Sequence, residues 1–333
     1  MSASILTTAP PLPRPCGYLS TAIVDFLAGS PDASLPLDTS SASLVAEPMS
    51  RDLHLALSVC YELHYRGFVD VDDDLEWDPD ILRFRRALET VFLAYLRDNV
   101  EHGTDAVAEM DTLSVEAASG TGPSWFLRDE GSWEQMREYF AHRSLYHLKE
   151  ADPHAWAIPR LQGQAKASFV AVEFDEYGGG RGERVHQKLW ADLMAAADLN
   201  VAYLGYIDSV PAETLAWVNL MSLFGLHRGL RGAVVGHFAA TEITSSPGSK
   251  RFVDGLRRLG APTQCVAFYQ EHVEADAVHE QILRLDVVAN LIREEPHLEA
   301  DVVFGMRALD FVEEALGKVV LDAWSAGRSS LIQ

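Results

Sequence analysis

The sequence predicts an all-α protein. Apolar residues recur at helical spacing through most of the chain from Arg51 onward, and strands do not alternate with helices as a parallel sheet would require. The one β-prone run, Ala167–Phe174, precedes a glycine-rich stretch that imitates a dinucleotide-binding turn. Glu183 occupies the place of the third glycine in that pattern, so the fingerprint fails and a helix is predicted instead.

The composition indicates a globular protein with a full hydrophobic core. The chain has 333 residues, of which 48% are hydrophobic, and a formal net charge of −22. Because phosphate recognition depends on Lys and Arg, this charge opposes binding to nucleic acid or anionic lipid. Three cysteines without a Cys-x-x-Cys pair fit a reduced compartment, and no apolar stretch is long enough to span a bilayer. We expect a cytoplasmic protein without a membrane partner, and a homodimer is the commonest assembly to expect.

The N-terminal segment, residues 1–50, reads as an arm separate from the helical domain. It is rich in Ser, Ala, Pro and Thr, with one short apolar stretch, so we predict a partly extended arm with at most one helix. Clear helical periodicity begins at Arg51 and continues toward Gly67. A second helix follows Asp78, which can cap it, with Pro79 at the first helical position.

The rest of the chain reads as one helical domain over residues 51–325, followed by a short tail at 326–333. Residues 103–123 are polar and predict a loop with a short helix in it. The later helices are predicted at 131–151, 161–177, 181–198, 211–226, 230–245, 249–260, 264–293 and 300–325.

The most informative motif is the trio His272, Asp276 and His279. On a helix these residues fall within about 60° of one another, so they project from one narrow stripe. Imidazole and carboxylate together suit iron, manganese or zinc, and argue against a purely oxygen-ligated calcium site. The alternative is an acidic solvated face, because Glu271 and Glu280 flank the motif. A metal site therefore needs further donors from other helices.

Local spacing alone does not complete such a site. Glu183 and His186 have the Glu-x-x-His spacing of ferritin-like diiron bundles, which need two such pairs. The other match, Glu294 with His297, contains Pro296, which opposes a continuous helix. A ferritin-like arrangement is therefore disfavoured.

Three segments resemble the haem-oxygenase-like diiron oxidases and oxygenases, a family of iron-containing redox enzymes. They run from Glu173 to His186, from Gly236 to Glu242, and from His272 to His279, within a resemblance that covers roughly residues 50–320. The resemblance is strongest to the N-oxygenating branch. It implies a haem-oxygenase-like bundle of about seven core helices with an additional helical N-terminal region. It also implies seven metal ligands: Glu150, Glu176, His186, Glu242, His272, Asp276 and His279.

Helix geometry and the resemblance differ over one ligand. Glu176 and His186 are about 80° out of phase on a straight helix, whereas Glu183 would sit beside His186. Three consecutive glycines between Glu176 and His186 allow a break that realigns them, so Glu176 is favoured and Glu183 is read as solvated. His237 is about 140° from Glu242 and is read as a core or supporting histidine. The isolated His142, His147 and His227 are read as ordinary packing residues.

Charge counting supports the fourth carboxylate, Glu150. Two ferrous ions carry four positive charges, which Glu150, Glu176, Glu242 and Asp276 would neutralise. A peroxo-diferric state carries the same total, and a buried net charge is disfavoured in low-dielectric surroundings. The alternative is that Glu150 is an exposed residue near a helix end.

The resemblance implies a non-haem diiron oxygenase. Two irons would activate dioxygen and oxidise a small amine substrate toward a hydroxylamine, nitroso or nitro product in specialised-metabolite biosynthesis. Electrons would come from an external reductant, because the sequence has neither a flavin nor a nicotinamide motif. Other family members imply desaturation or fragmentation of amino or fatty acids, and a non-catalytic metal- or haem-binding bundle is a third reading. The aromatic residues expected to shape an apolar cavity are Trp156, Phe169, Phe238 and Tyr269.

Overall fold

The structure, a computed structural model, describes residues 9–36, 47–116 and 119–332. Within one of its helices, the side chains of Glu274, Asp276 and Ala277 lie outside the described part. The described residues form helices and connecting turns and contain no strand, so the predicted all-α fold is confirmed. The β-prone run lies in a helix, in which Phe169 and Val172, three residues apart, are buried in the core while Val170 and Phe174 are exposed.

Among the described residues, the N-terminal part has three α-helices: α1 (Tyr18–Leu27), α2 (Arg51–Glu62) and α3 (Pro79–Asn99). Asp78 caps α3 by accepting hydrogen bonds from two backbone amides, with Pro79 at the first position, as predicted. The predicted arm contains α1, which packs against α2. Asp52 fixes this contact by accepting hydrogen bonds from the backbone amides of the first turn of α1. Residues 37–46 of the arm lie outside the described residues.

Seven helices lead from the N-terminal part to the long central helices. They are α4 (Ala106–Leu113), α5 (Pro123–Asp129), α6 (Trp133–His147), α7 (Asp152–Ala155), α8 (Gly163–Glu176), α9 (His186–Ala196) and α10 (Ala212–Leu226). The short helix α4 lies in the segment predicted as a loop with a helix in it. Helix α10 is buried along nearly its whole length, so it is a core helix of the bundle.

Four helices complete the chain: α11 (Arg231–Leu259), α12 (Thr263–Ile282), α13 (Ala289–Glu294) and α14 (Glu299–Ser325). A π-helical segment, Leu283–Val288, joins α12 to α13. The predicted break between residues 245 and 249 was wrong, because α11 continues through Pro247. Proline removes one backbone donor, but here the packing of α11 against α12 and α14 outweighs that loss.

Helix α11 lies at the centre because two glycines let it approach α14 closely. A Cβ atom on Gly236 would stand 1.9 Å from the carbonyl oxygen of Val302, and one on Gly305 would stand 2.0 Å from that of Ala233. Any side chain at either position would push the helices apart. This close contact fixes where the α11 residues after Gly236, including Glu242, lie relative to α14.

Two expectations from the sequence concerned membrane-spanning segments and the cysteines. None of them is both long and apolar enough to cross a membrane. The three cysteines are free, with Cys16 exposed and Cys60 and Cys265 buried.

Candidate metal centre

Six of the seven predicted ligands converge in the bundle as two donor groups that share one carboxylate. The first donor group contains Glu150, Glu176, His186 and His272, and the second contains Glu176, Glu242 and His279. Within each group the potential ligand atoms all lie within 4.8 Å of one another, and every residue is buried. Glu176 therefore offers a potential ligand atom to both donor groups. The seventh predicted ligand, Asp276, lies in α12 between His272 and His279, and its side chain is outside the described part.

Glu150 enters the centre from a turn that follows α6. The next residue, Ala151, has φ 74°, a left-handed conformation that alanine adopts at some strain. The turn ends α6 and directs Glu150 inward, so that only 5% of the residue is exposed. Its Oε1 atom lies 2.7 Å from Nδ1 of His147 and 3.6 Å from Nε2 of His272. The reading of Glu150 as an exposed residue was wrong.

A broken helix brings Glu176 and His186 together. Helix α8 ends at Glu176, and Gly178, Gly179 and Gly180 follow with φ between 61° and 79°, a region that favours glycine. Helix α9 then begins at His186, whose Nδ1 lies 2.7 Å from Oε2 of Glu176. The break that the three glycines were expected to allow therefore separates the pair onto two helices.

Glu183, the alternative to Glu176, stands apart from both donor groups. It lies in the turn between α8 and α9, and its side chain is exposed. The structure therefore agrees with reading Glu183 as solvated.

Helix α12 contributes a histidine to each donor group, with opposite ring atoms facing the centre. Nδ1 of His272 donates to the carbonyl oxygen of Phe268 at 2.8 Å, which leaves Nε2 directed toward Glu150. In His279 it is Nδ1 that lies 3.1 Å from Oε2 of Glu242 and 3.5 Å from Oε1 of Glu176. In each ring, one nitrogen thus faces a carboxylate of its own donor group.

The outer nitrogen of His279 meets a carboxylate that sequence reasoning missed. Its Nε2 lies 3.3 Å from Oδ2 of Asp175, whose side chain is 57% exposed. A carboxylate behind a ligating histidine fixes the tautomer and strengthens the nitrogen donor. Asp175 immediately precedes Glu176, and this adjacency in the last turn of α8 was the available signal.

In the first donor group, Glu176 and His186 each shift the pKa of the other toward its charged form. Burial alone would raise the pKa of Glu176, but the adjacent His186 lowers it below the ordinary value for glutamate. Burial opposes the charge on His186 as well, yet Glu176 raises its pKa above the ordinary value for histidine. Each member of the pair therefore favours the charged form of the other. Metal binding through His186 would compete with its protonation.

His147 was read from sequence as an ordinary packing residue, and the structure gives it a role at the centre. Burial lowers its pKa, although Glu150 opposes that shift by its charge and hydrogen bond. The pKa of Glu150 is depressed: burial would raise it, but His147 and His272 together outweigh burial. The His147 ring packs against Trp190 with a centroid separation of 4.2 Å. The spacing of three residues from His147 to Glu150 was the signal that could have identified it.

The other histidines lie outside both donor groups. His237 accepts or donates a hydrogen bond at 3.0 Å to His154, and burial lowers the pKa of both rings. His142 bonds to Thr214 and Ser330, as expected of a packing residue. His227 lies 3.0 Å from Glu89, away from the centre.

Glu173 is a buried carboxyl group that no sequence argument singled out. It lies one turn before Glu176, is 2% exposed, and neither of its oxygens has a hydrogen-bond partner among the described residues. Burial raises its pKa well above the ordinary value, and the charges of Glu176 and Glu242 add to that shift. Glu173 therefore favours its neutral form more strongly than an ordinary glutamate does.

A cavity of about 310 Å³ opens onto the centre. Glu150, Glu176, Glu242 and His272 line one part of it. Aromatic and aliphatic residues line the rest together with polar and charged ones, which include Arg143, Arg251, Asp310 and Glu313. Its volume is at the small end of the range for small-molecule sites, roughly 300–1,000 Å³. Of the aromatic residues expected to shape a cavity, Tyr269 lines this one. Trp156, Phe169 and Phe238 are not among the described residues of its wall.

The donor set fits iron. Imidazole nitrogens combined with carboxylate oxygens are donors that iron accepts readily. Glu150 and Glu176 are buried, and their close partners are imidazoles instead of lysine or arginine. Cations between them would offset the repulsion of several carboxylates held close together. The arrangement therefore fits iron in both composition and charge.

Comparison with known proteins identifies the class. The family model described as iron-containing redox enzyme matches residues 137–313, more than half of the chain and a span that contains all seven predicted ligands. The chain belongs to this family of iron-containing redox enzymes.

Among characterised proteins, the chain is similar to nitrosourea synthase from Streptomyces achromogenes subsp. streptozoticus. The two are 24% identical over 217 residues, which make up 63% of this chain and 46% of that protein. The chain therefore matches less than half the length of this relative. Among solved structures it is similar to a CADD-like protein of unknown function from Nostoc punctiforme, with a TM-score of 0.52 and 18% identity over 66% of this chain and 98% of the other. That likeness supports the helical fold.

Proposed function

We propose that this chain is a dioxygen-dependent non-haem diiron N-oxygenase that acts on a small amine. The observation that carries the proposal is the sharing of Glu176 by two buried donor groups that open onto one small cavity. Two metal ions in such an arrangement can act together on one substrate.

The ligand roles follow from the geometry. His186 and His272 would hold the first iron together with Glu150, and His279 would hold the second with Glu242. Glu176 would bridge them, and Asp276 is proposed as a further ligand from the sequence motif. Bound iron would supply the activation of dioxygen, which the side chains themselves cannot perform.

The protein's own contribution is to place the amine and to keep the centre dry. N-oxygenation converts an amine, dioxygen, two electrons and two protons into a hydroxylamine and water. The amine nitrogen must present its lone pair, so it has to reach the centre as the free base. The two electrons must come from an external reductant, because no flavin or nicotinamide motif is present in the sequence.

Two observations support N-oxygenation over other outcomes. Glu150 is buried in the first donor group, where the N-oxygenating branch places its additional carboxylate. The name of the similar nitrosourea synthase describes a product that contains a nitrogen–oxygen bond. Neither is specific to one substrate, so we propose the reaction class and leave the amine open.

The proposal can be tested with the iron-loaded protein, a chemical reductant and oxygen. Incubation with a panel of small amines should consume oxygen and give products heavier by one oxygen atom, detected by mass spectrometry. Glu150→Gln should abolish those products while ferrous binding is largely retained. Products that have lost hydrogen or carbon dioxide would instead establish desaturation or fragmentation. No oxygen consumption with any amine would contradict an oxygenase.

A further inference from the structure

The side-chain amide of Gln187 connects two segments that carry ligands of the first donor group. Gln187 follows His186 in the first turn of α9. Its Nε2 atom donates hydrogen bonds to the backbone oxygen of Glu150 at 3.0 Å and to Oδ1 of Asp152 at 3.1 Å. Because Glu150 and Asp152 flank Ala151, one side chain holds both sides of the turn that directs Glu150 inward.

Tyr177 extends this connection to the end of α8. It directly follows Glu176, and its hydroxyl donates to Oδ1 of Asp152 at 2.9 Å. The same carboxylate oxygen therefore accepts hydrogen bonds from Tyr177 and from Gln187. Three of the four segments that supply the first donor group are thus joined by hydrogen bonds around one amide. Such supporting contacts fix the positions of ligands before a metal binds.

Arg66 determines which end of the Gln187 amide faces Glu150. The NH2 group of Arg66 donates to Oε1 of Gln187 at 3.2 Å and to the backbone oxygen of Leu148 at 2.7 Å. Arginine can only donate and a backbone carbonyl can only accept, so the amide oxygen faces Arg66 and the amide nitrogen faces Glu150. The guanidinium of Arg66 lies 3.8 Å from the centre of the Tyr203 ring, a cation–π contact that holds it in place.

The strained turn at Ala151 requires support of this kind. Its φ of 74° is unfavourable for alanine and persists only where the surroundings hold it. The carbonyl group that Gln187 binds belongs to the peptide bond between Glu150 and Ala151. Without that hydrogen bond the peptide would be free to rotate, and the direction of the Glu150 side chain would change with it.

We propose that Gln187 is a positioning residue that holds the carboxylate of Glu150 in the first donor group. The proposal rests on the proposed metal centre, with Glu150 as one of its ligands. Gln187 is not among the described residues of the cavity wall, so it acts through Glu150 and not on the substrate. Arg66, which orients Gln187, follows α2 and lies outside the matched family span of residues 137–313. The N-terminal part therefore contributes to the metal centre through this contact.

Anaerobic titration of the full-length, metal-free protein with cobalt(II) alone tests the proposal. The visible absorption of bound cobalt depends on the number and geometry of its ligands, so it reports a displaced carboxylate directly. Gln187→Met keeps the length of the side chain and removes the amide. Its cobalt spectrum should change in the same way as that of Glu150→Gln. We expect cobalt in the first donor group to bind about tenfold more weakly, with about two ions per chain at saturation.

A double variant separates a positioning role from a general structural one. If Gln187 acts through Glu150, the protein with both Glu150→Gln and Gln187→Met should bind cobalt no more weakly than Glu150→Gln alone. Additive losses would show that Gln187 only supports the fold, and would overturn the proposal. Gln187→Asn shortens the side chain by one methylene group and should behave like Gln187→Met. It provides the same test if the methionine variant does not fold.

Gln164→Met is the matched control, because the amide of Gln164 donates to Ser168 within α8, outside both donor groups. It should leave the cobalt spectrum and the affinity unchanged, and an effect equal to that of Gln187→Met would overturn the proposal. A normal spectrum in Gln187→Met beside a changed one in Glu150→Gln would overturn the positioning role and leave the proposed function standing. If Glu150→Gln also has a normal spectrum, Glu150 is not a ligand, and the positioning role and the proposed ligand set fail together.

Discussion

The two donor groups share Glu176 but differ in what holds their histidines. In the first group, the outer nitrogen of His272 is bound by the backbone carbonyl of Phe268 inside the core. In the second group, the outer nitrogen of His279 meets Asp175, whose side chain is 57% exposed. A carbonyl within a helix is fixed, whereas an exposed carboxylate competes with water and salt.

Because their histidines are held differently, the two metal positions should not be equivalent. The first group has four described donors from four separate segments, so its geometry is set before a metal arrives. The second has three, and its histidine depends on a partner at the protein surface. We therefore expect the first iron to bind more tightly than the second.

The largest effect is expected from the shared ligand. Glu176→Ala removes a donor from both groups, so iron content should fall from about two per chain toward zero while helicity persists. Glu183→Ala is the matched control, because this glutamate is exposed and outside both groups. Elemental analysis after anaerobic loading checks both variants. Full iron content in the Glu176 variant, or its loss in the Glu183 variant, would show that the ligand was assigned wrongly.

The two histidines of α12 should separate the two positions. His272→Ala should remove the tighter class of iron, and His279→Ala the weaker class, each leaving about one iron per chain. Asp276→Ala should also lower the iron content, as its prediction as a ligand requires, and should resemble His279→Ala if this aspartate belongs to the second position. Ferrous titration under anaerobic conditions distinguishes the classes. Identical titration curves for the two histidine variants would contradict two separate positions.

A smaller effect is expected from a change at Asp175, the carboxylate beside His279. Asp175→Asn keeps the shape of the side chain but removes its charge, so the second iron should bind about 10–100-fold more weakly and the first should be little changed. Asp192→Asn, which removes a carboxylate paired with Lys188 on α9, is the control. The same ferrous titration is the measurement. Equal weakening of both irons would remove the proposed asymmetry.

The smallest effect concerns Glu173 in the metal-free protein. Because burial raises its folded-state pKa, its stabilising contribution is present below pH 4.5 and is lost as the pH rises through the folded-state pKa. Glu173→Gln removes this loss and should raise the unfolding temperature at pH 7.5 by about 2 °C or more, with little difference at pH 4. Scanning calorimetry at both pH values checks the sign. A variant less stable at pH 7.5 would show that the carboxyl group is charged and stabilised.

The fold was largely predictable because helical periodicity is local information. The cap at Asp78 and the helix carrying His272 and His279 follow from residues close in sequence. The predicted break before residue 249 failed because Pro247 weakens a helix only locally, whereas packing against α12 and α14 is a tertiary effect.

The site was predictable only in part. The resemblance named Glu176 as a ligand, although on a straight helix it would point away from His186. The three left-handed glycines after α8 break the helix, and this break brings Glu176 and His186 together. His147 was missed because its role depends on a turn at Ala151 that redirects Glu150. Arg143 and Trp217 come from different helices, so no local pattern could show that they line one cavity.

The most direct test of the central claim is to load the full-length protein with ferrous iron, expose it to oxygen and record Mössbauer spectra. Because Glu176 belongs to both donor groups, we expect about two irons per chain and a magnetically coupled ferric pair. Glu176→Ala should lack that coupled signal. One iron per chain, or two uncoupled irons in the unaltered protein, would contradict a shared two-metal centre.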